Sequence, residues 1–152
     1  MRLADLRGYS YDRSDVTGRS LANAYAQTLG TIFTETPKPF EVEMVVAEVG
    51  ASSADDQLYR LMFDGSVSDV HGYVAMGGSA ERINQALAEG WQDSMSLAAA
   101  LRLAVAALSE FGDEEPRSLT ASQLEVAVLD RSRPRRAFVR IDTPRLTSLL
   151  EA

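Results

Sequence analysis

The sequence predicts an α+β domain whose antiparallel strands are grouped apart from its helices. Apolar residues recur at helical spacing in residues 17–36, 79–91 and 97–110. They alternate with acidic or small residues in residues 40–46 and 124–128, as in half-buried strands. The predicted order is one helix, three or four strands, two helices, two strands and a short helix, which indicates a layered α+β fold with antiparallel pairing.

The first helix is predicted to begin after Asp15 or Thr17, since either side chain can accept a capping hydrogen bond, and to end before Pro37. Residues 8–14 are expected to end an element that begins upstream. Helical spacing places five apolar residues on one face, which we expect to be buried: Leu21, Tyr25, Leu29, Ile32 and Phe33. Gly18 and Gly30 each weaken a helix by up to ~1 kcal/mol, so a neighbour is expected to approach closely at both.

Strands are predicted next, over residues 40–49, 57–63, 66–70 and 73–76. In the first of them Val42, Met44 and Val46 share the inward face. Asp64-Gly65 is a strong hairpin signal between the second and third. The fourth is short and is expected to end at Gly77.

The second half is predicted to contain two helices, a hairpin and a short helix. Ser79 is expected to cap a helix that ends near Trp91, and Ser94 or Ser96 to cap the next, over residues 97–110. Gly112 ends that helix before the solvated loop at residues 113–116. Residues 124–128 and 137–141 form the hairpin, and Thr143 caps a last helix with Pro144 at its first position.

Composition excludes several classes of protein. The chain has 152 residues, with 45% hydrophobic and 24% charged residues, which is ordinary for a globular protein. It has no cysteine and therefore no disulfide or thiol chemistry, and no apolar run approaches the ~20 residues of a membrane span. A net charge of −7 disfavours a nucleic-acid surface. We expect a cytoplasmic protein without a membrane or nucleic-acid partner.

One basic cluster stands out against this acidic background. Four arginines flank Pro134 in the predicted turn of the last hairpin: Arg131, Arg133, Arg135 and Arg136. A solvated turn explains them. The alternative is a patch that faces an acidic partner.

Catalytic and metal-binding signals are weak. His71 is the only histidine, and a serine-type triad would have to combine it with Ser66 or Ser68 and Asp69, within one hairpin. With one histidine and no cysteine, no tetrahedral zinc site of nitrogen and sulfur ligands can form. The acidic pair at residues 55–56 and the acidic triplet at residues 113–115 lack the spacing of a calcium loop and are expected to be solvated.

The turn Gly77-Gly78-Ser79 precedes a predicted helix, and helix N-termini bind anions. A tight connection between a strand and a helix explains the glycines without a ligand. A small-molecule binding module that uses this turn remains an alternative.

Six segments together resemble the α-type subunits of the proteasome core particle, the actinobacterial ones above all. The segments are residues 7–13, 16–34, 40–49, 58–65, 74–78 and 124–130. The resemblance implies the four-layer αββα sandwich of the N-terminal nucleophile hydrolase fold, of which residues 1–152 would be a single domain. An α-type subunit has a substantial part before the position of Met1, so we expect this chain to be the C-terminal portion, without the first strands of the sandwich.

The resemblance also implies a role. In this family the α subunits form a seven-membered outer ring at each end of a four-ring barrel, where they gate entry, dock ATPase activators and support assembly of the catalytic β ring. In actinobacteria the ATPase ring delivers substrates tagged with a small protein modifier. The expected partners are therefore other α subunits, β subunits and, through the complex, an ATPase activator ring. Arg19, Asn23 and Gln27 are expected to be available for neighbouring subunits.

Related β-type subunits, and the wider N-terminal nucleophile hydrolases, attack peptide bonds with a threonine, or with a serine or cysteine, at the mature N-terminus. Here the first residue is Met1, and the only Gly-Thr pair, Gly30-Thr31, lies within the first predicted helix. We therefore expect a non-catalytic chain with no catalytic, cofactor-binding or metal-binding residues. The alternative is a stand-alone amidohydrolase of the N-terminal nucleophile type. The triplet Tyr11-Asp12-Arg13 is similar to a gating motif of α subunits, but its surroundings match an internal segment, so the gating role is not transferred.

Truncation of a sheet leaves unpaired edges and an uncovered apolar face. We therefore expect the isolated chain to be poorly soluble or self-associated unless another chain supplies the missing strands.

Overall fold

A computed structural model describes residues 2–111, 117–133 and 136–151 of the chain. Its helices and antiparallel strands fall into two compact units, Met1–His71 and Gly72–Ala152. The α+β class is as predicted. The predicted stop at Gly112, the acidic loop at residues 113–116, and Pro134 and Arg135 of the hairpin turn lie outside the described residues.

The first unit contains two helices followed by three strands. The helices are α1 (Arg2–Ser10) and α2 (Gly18–Glu35), and the strands are β1 (Met44–Glu48), β2 (Gln57–Leu61) and β3 (Val67–Val70). β2 lies in the centre and pairs antiparallel with both neighbours, with Val46 opposite Tyr59 and Tyr59 opposite Asp69. The turn between β2 and β3 falls at Asp64-Gly65, as the sequence predicts.

The core of this unit lies between α2 and the sheet. Ala22, Leu29, Tyr59 and Leu61 are buried. The predicted inward face of β1 is confirmed, because Val42, Met44 and Val46 pack against these residues. Full burial of a leucine such as Leu61 stabilises the fold by about 1.5–3 kcal/mol.

The buried face of α2 differs from the predicted one. Of the five residues expected on it, only Leu29 is fully buried, while Tyr25 and Phe33 remain 38% and 43% exposed. Small residues occupy the contact instead: Gly18, Ala22 and Ala26. A stripe of small side chains lets the helix backbone approach the sheet, and the larger side chains are then turned toward the flanks.

The second unit contains helices α3 (Ala80–Gly90) and α4 (Leu97–Phe111), the hairpin of β4 (Val126–Leu129) and β5 (Phe138–Ile141), and helix α5 (Thr143–Glu151). β4 and β5 are antiparallel, with Val128 opposite Val139. Ile83, Leu87 and Ala107 form a core between α3 and α4, onto which Leu103 and Phe111 pack. Leu146 of α5 is 1% exposed.

Three local predictions for this part of the chain are corrected. Residues 73–76 form no strand, because the amide side chain of Asn84 bonds to the backbone of Ala75 (Asn84 Oδ1 to Ala75 N, 2.8 Å) and takes the place of a partner strand. Helix α5 is capped by Asp142, not Thr143, since the Asp142 carboxylate accepts the Arg145 N–H at 2.9 Å. Ser79 does precede α3, but its hydroxyl accepts no capping hydrogen bond from the described backbone of that helix.

Residues 2–10 form helix α1, so the element that was expected to end within residues 8–14 is a helix, which the sequence pattern alone did not predict. Its helical pattern is weak, and Leu3, Leu6 and Tyr9 are exposed by 41%, 58% and 92%.

Of the two proposed caps for α2, Thr17 is the correct one, as its hydroxyl oxygen accepts the Ser20 N–H at 3.1 Å.

The predicted close approach at the α2 glycines is confirmed. A Cβ at Gly18 would lie 3.0 Å from Cβ of Glu48, and one at Gly30 would lie 3.6 Å from the Asp64 carbonyl oxygen. Gly65 in the hairpin turn is tighter still. It has φ +86°, and its Cβ would lie 2.6 Å from the Ala26 carbonyl oxygen and 2.8 Å from Cα of Gly30.

Gly65→Ala is expected to lower the free energy of unfolding by at least about 2 kcal/mol, because alanine disfavours positive φ and the added methyl group meets helix backbone that cannot move aside cheaply. Chemical denaturation followed by circular dichroism measures the change. Gly78→Ala is the matched control. A Cβ there meets no described atom within 4 Å, so it should stay within about 0.5 kcal/mol of the parent. Equal stability of the two variants would contradict the close packing of α2 on the hairpin.

Candidate interaction surfaces

The serines, aspartate and histidine considered as a triad do not form one in the structure. Ser68 and Asp69 are neighbours on β3, so their side chains point to opposite faces of the sheet. The Asp69 carboxylate lies 3.6 Å from the guanidinium of Arg19. His71 is exposed after the strand. The geometry lacks the nucleophile–base hydrogen bond that such a site needs.

The acidic pair Asp55 and Asp56 stabilises its own loop. Asp55 accepts hydrogen bonds from the backbone N–H and the hydroxyl of Ser52, at 3.1 and 2.7 Å. Asp56 accepts the Gly50 N–H at 2.8 Å. Across residues 2–111, 117–133 and 136–151, no three His, Cys, Asp or Glu side chains are grouped so that they could hold a metal ion. The expectation that the chain has no cofactor, metal or catalytic residues stays a prediction.

The two glycine motifs have different surroundings. Gly30-Thr31 lies inside α2, so cleavage before Thr31 would cut the helix that covers the sheet. Gly77 has φ +103°, and a Cβ at Gly77 or Gly78 would meet no described atom within 4 Å. The positive φ of Gly77 fits the predicted glycine turn before α3, although no strand precedes it, and the turn is open among the described residues.

The triplet Tyr11-Asp12-Arg13 joins α1 to α2. Asp12 caps a short 3₁₀ turn at Arg13–Asp15, where its carboxylate accepts the Ser14 hydroxyl at 2.6 Å and the Ser14 N–H at 2.9 Å. These two hydrogen bonds lower the pKa of Asp12. Tyr11 is 80% exposed. The triplet is thus an exposed, locally hydrogen-bonded connection.

The three polar residues predicted to face other subunits lie on one exposed face of α2. Arg19, Asn23 and Gln27 are four residues apart and all exposed. Besides its ion pair with Asp69, the Arg19 guanidinium lies 5.5 Å from the ring centroid of buried Tyr59. An exposed ion pair of this kind contributes at most about 1 kcal/mol, so this face is free to exchange its contacts for those of a partner.

An aromatic pair, which the sequence analysis did not identify, lies at the C-terminal end of α2. The rings of Phe33 and Phe63 meet edge to face with centroids 5.6 Å apart, and both side chains are about 40% exposed. Phe33 was predicted to be buried. We call these two residues the aromatic patch. Exposed aromatic side chains held in fixed positions are typical of protein–protein contacts.

In the second unit the arginine turn borders a cavity of about 560 Å³, here called the arginine cavity. Its lining residues are Leu97, Val128, Leu129, Asp130, Arg131, Arg133, Val139, Ile141 and Arg145. Two of the four arginines of the predicted cluster, Arg131 and Arg133, lie here, whereas Arg136 is exposed outside the lining. Arg145 joins them from α5, a tertiary contact that neither the hairpin pattern nor the helix pattern predicts.

The turn of the hairpin is held by Asp130. Its carboxylate accepts the Ser132 hydroxyl at 2.6 Å and the Ser132 N–H at 3.0 Å. These hydrogen bonds lower the pKa of Asp130, and the positive charges of Arg133 and Arg145 lower it further.

A second concavity of about 580 Å³ lies between α3 and α4. Leu103, Ala107 and Phe111 provide apolar surface, while Arg82 lies 5.2 Å from the centre of the Phe111 ring. Its charged rim is mixed in sign, with Glu89 and Glu110 opposite Arg82 in charge.

Comparisons with known proteins identify similar chains. A family model described as "Proteasome subunit" matches residues 2–129. The proteasome subunit alpha of Sanguibacter keddieii is 59% identical over 151 residues, which are 99% of this chain and 59% of that protein. Those of Thermomonospora curvata and Thermobifida fusca are 60% and 59% identical, over 64% and 60% of their lengths. The chain thus spans less than two thirds of each of these relatives.

None of the described helices is long and apolar enough to cross a membrane.

Asp130 gives the hairpin turn a pH dependence. A carboxylate whose pKa is lowered on folding adds stability above its ordinary pKa, near 3.8, and this stability is lost as the pH falls through the lowered value. NMR titration below pH 4 should therefore show the Ser132 amide signal moving toward its free position. In Asp130→Asn the amide should show no such transition, while Asp64, which bonds Ser66 in the other hairpin, provides an internal reference. A Ser132 amide signal that does not change with pH in the parent chain would contradict the role of the Asp130 carboxylate in the turn.

Proposed function

Since this chain belongs to the proteasome subunit family, we propose that it is a non-catalytic α-type subunit of the proteasome core particle. It contributes to the outer ring, which supports the β ring and admits substrates for degradation. The observation that carries the proposal is the match of nearly the whole chain, at about 59% identity, to actinobacterial proteins named proteasome subunit alpha. Its site of action is cytoplasmic.

The surface of the first unit supports a role in assembly. Large apolar side chains are exposed on both of its helices and around its sheet: Leu3, Leu6, Tyr9, Tyr11, Tyr25, Phe33, Phe40, Phe63 and Val67. Isolated exposed apolar residues are common, but Phe33 and Phe63 are in contact, and adjoining exposed apolar side chains are typical of surfaces that contact other proteins. We assign the aromatic patch and the polar face of α2 to contacts with neighbouring α and β subunits.

The two sheets fit parts of the family's four-layer sandwich. The three-stranded sheet is covered by α2 on one face, and the β4–β5 hairpin has only two strands among the described residues. Unpaired strand edges favour pairing with further strands. We propose that strands corresponding to the remaining length of the relatives complete both sheets in the assembled particle, in which residues 1–152 act as one domain.

The exposed residues of α2 indicate which contacts neighbouring subunits would make. The polar residues Arg19, Asn23 and Gln27 and the aromatic patch offer hydrogen bonds and apolar contact to subunits of the same ring or of the β ring. An ATPase activator ring engages the completed complex, not this chain in isolation. The chain itself has no proposed catalytic, cofactor or metal role.

The alternative of a stand-alone amidohydrolase has little support. No observation in the described residues points to a nucleophile with an adjacent base, and Asp69 is paired with Arg19. The small-ligand alternative rests on the open turn at Gly77-Gly78 alone, and an open helix N-terminus is not specific for a ligand. The relatives favour the structural role over both.

Co-expression with the α and β subunits of Thermobifida fusca tests the proposal. Native mass spectrometry should detect this chain in assembled rings, because its relative there is 59% identical over 99% of this chain. Absence from every assembly, or peptidase activity in the purified chain alone, would overturn the proposal.

Phe33→Asp is expected to reduce incorporation at least tenfold, because it removes an exposed aromatic contact and places a charge in an apolar interface. Native mass spectrometry against the parent chain measures the loss. Thr34→Asp is the matched control, since it adds the same charge at the next exposed position of α2 without removing an aromatic ring. Both variants should keep the helical circular-dichroism signal of the parent. Equal incorporation of the two would show that the aromatic patch does not take part in assembly.

A further inference from the structure

The arginine cavity has a chemistry that the proposed place in a ring does not require. We propose that it binds an acidic peptide segment of a partner protein, in which carboxylates stand next to apolar side chains. The site combines a cluster of guanidinium groups with an apolar wall in one concavity.

The charge of the cavity is opposite to that of the chain. Among the described lining residues, Arg131, Arg133 and Arg145 are positively charged and Asp130 is the one carboxylate, whereas the whole chain carries a net charge of −7. The Arg133 guanidinium also donates a hydrogen bond to the Phe138 carbonyl oxygen at 3.5 Å, which leaves its charge in place. The Asp130 carboxylate already accepts two hydrogen bonds from Ser132. Guanidinium groups match carboxylates with paired hydrogen bonds, so an anionic group is the favoured occupant of this side of the cavity.

The five other described lining residues are apolar, and together they are called the apolar wall of the cavity. Ile141 is buried, Val128 and Val139 are half-buried, and Leu97 and Leu129 are each 37% exposed. Burial of an apolar side chain against this wall stabilises a complex by about 25 cal/mol per Å² of apolar surface removed from water. A ligand that carries only negative charge would leave this wall in water.

Size and charge together select the class of partner. A volume of about 560 Å³ lies within the ~300–1,000 Å³ of typical ligand pockets, which is room for a few residues of peptide. A nucleic-acid backbone is disfavoured, because it would extend beyond the small basic site and be repelled by the net negative charge of the chain. Inorganic phosphate would contact the guanidinium groups alone. An acidic and apolar peptide uses both the arginines and the apolar wall.

The test uses the 152-residue chain, alone if size-exclusion chromatography shows it to be soluble and monomeric and otherwise co-purified with its ring partners, and the blocked tetrapeptide acetyl-Leu-Glu-Glu-Leu-amide as the probe. Isothermal titration at low salt should show binding at least tenfold tighter than that of the same peptide with glutamine in place of both glutamates. Added salt should weaken the binding, because the arginines are exposed at the turn. Inorganic phosphate is the second arm of the test and should bind more weakly than the peptide. Equal binding of phosphate, or of the glutamine peptide, would overturn the proposal.

Variants locate the site. Arg133→Gln and Arg145→Gln should each weaken peptide binding about tenfold, the effect of losing one charge-assisted hydrogen bond. Arg102→Gln on α4 is the control, since it removes the same charge at an exposed position outside the cavity lining and should leave the affinity within twofold.

Folding and specificity are checked separately. Unchanged melting temperatures would show that the exposed arginines are not needed for folding, and Arg133→Lys should recover part of the affinity by restoring the charge without the planar fork. A loss as large in Arg102→Gln as in Arg133→Gln would mean that only the overall charge matters, and the assignment would fail. None of these outcomes depends on whether the chain enters a ring.

Discussion

The architecture of the first unit depends on backbone contact between helix α2 and the turn of the β2–β3 hairpin. Gly65 lies so close to Ala26 and Gly30 that a single methyl group does not fit between them. Because the turn also needs positive φ at this position, two requirements coincide on one residue. The hairpin fixes the height of the helix above the sheet, and the small residues Gly18 and Ala22 continue the contact toward the helix N-terminus.

The same contact explains where the exposed aromatic residues lie. A helix that rests on its smallest side chains must turn its larger ones to the flanks, and Tyr25 and Phe33 are found there. Phe33 then meets Phe63, which comes from the end of the neighbouring hairpin. The surface proposed for assembly is thus a product of the way in which the core is packed. In the second unit, local hydrogen bonding of Asp130 holds the turn that presents the arginines.

From residue 17 onward, sequence patterns predicted the order of the elements, apart from a strand at residues 73–76, and the position of both hairpins, because alternation and turn residues act over short distances. They also predicted the need for close approach at Gly18 and Gly30, which follows from the cost of glycine within a helix. The prediction of the buried face of α2 was wrong, because the periodicity of large residues does not reveal that small residues make the contact with the sheet. The prediction of a strand at residues 73–76 was wrong. The backbone of Ala75 hydrogen-bonds to the side chain of Asn84, which lies on the following helix and not on a neighbouring strand. The α-type resemblance is confirmed, while Arg145 and the Phe33–Phe63 pair depend on tertiary contacts that no local pattern records.

The three-stranded sheet has a consequence for how the chain acquires its structure. Its strands follow one another as a simple meander, so every pairing joins neighbours in sequence, and the most distant pair in the register of β1 and β2 is Met44 with Leu61. Pairings of this kind close short loops at little entropic cost, and proteins dominated by them fold quickly. During synthesis, β1, β2, β3 and the helix that covers them can pack together once Val70 has left the ribosome, because none of these pairings involves a residue of the second unit.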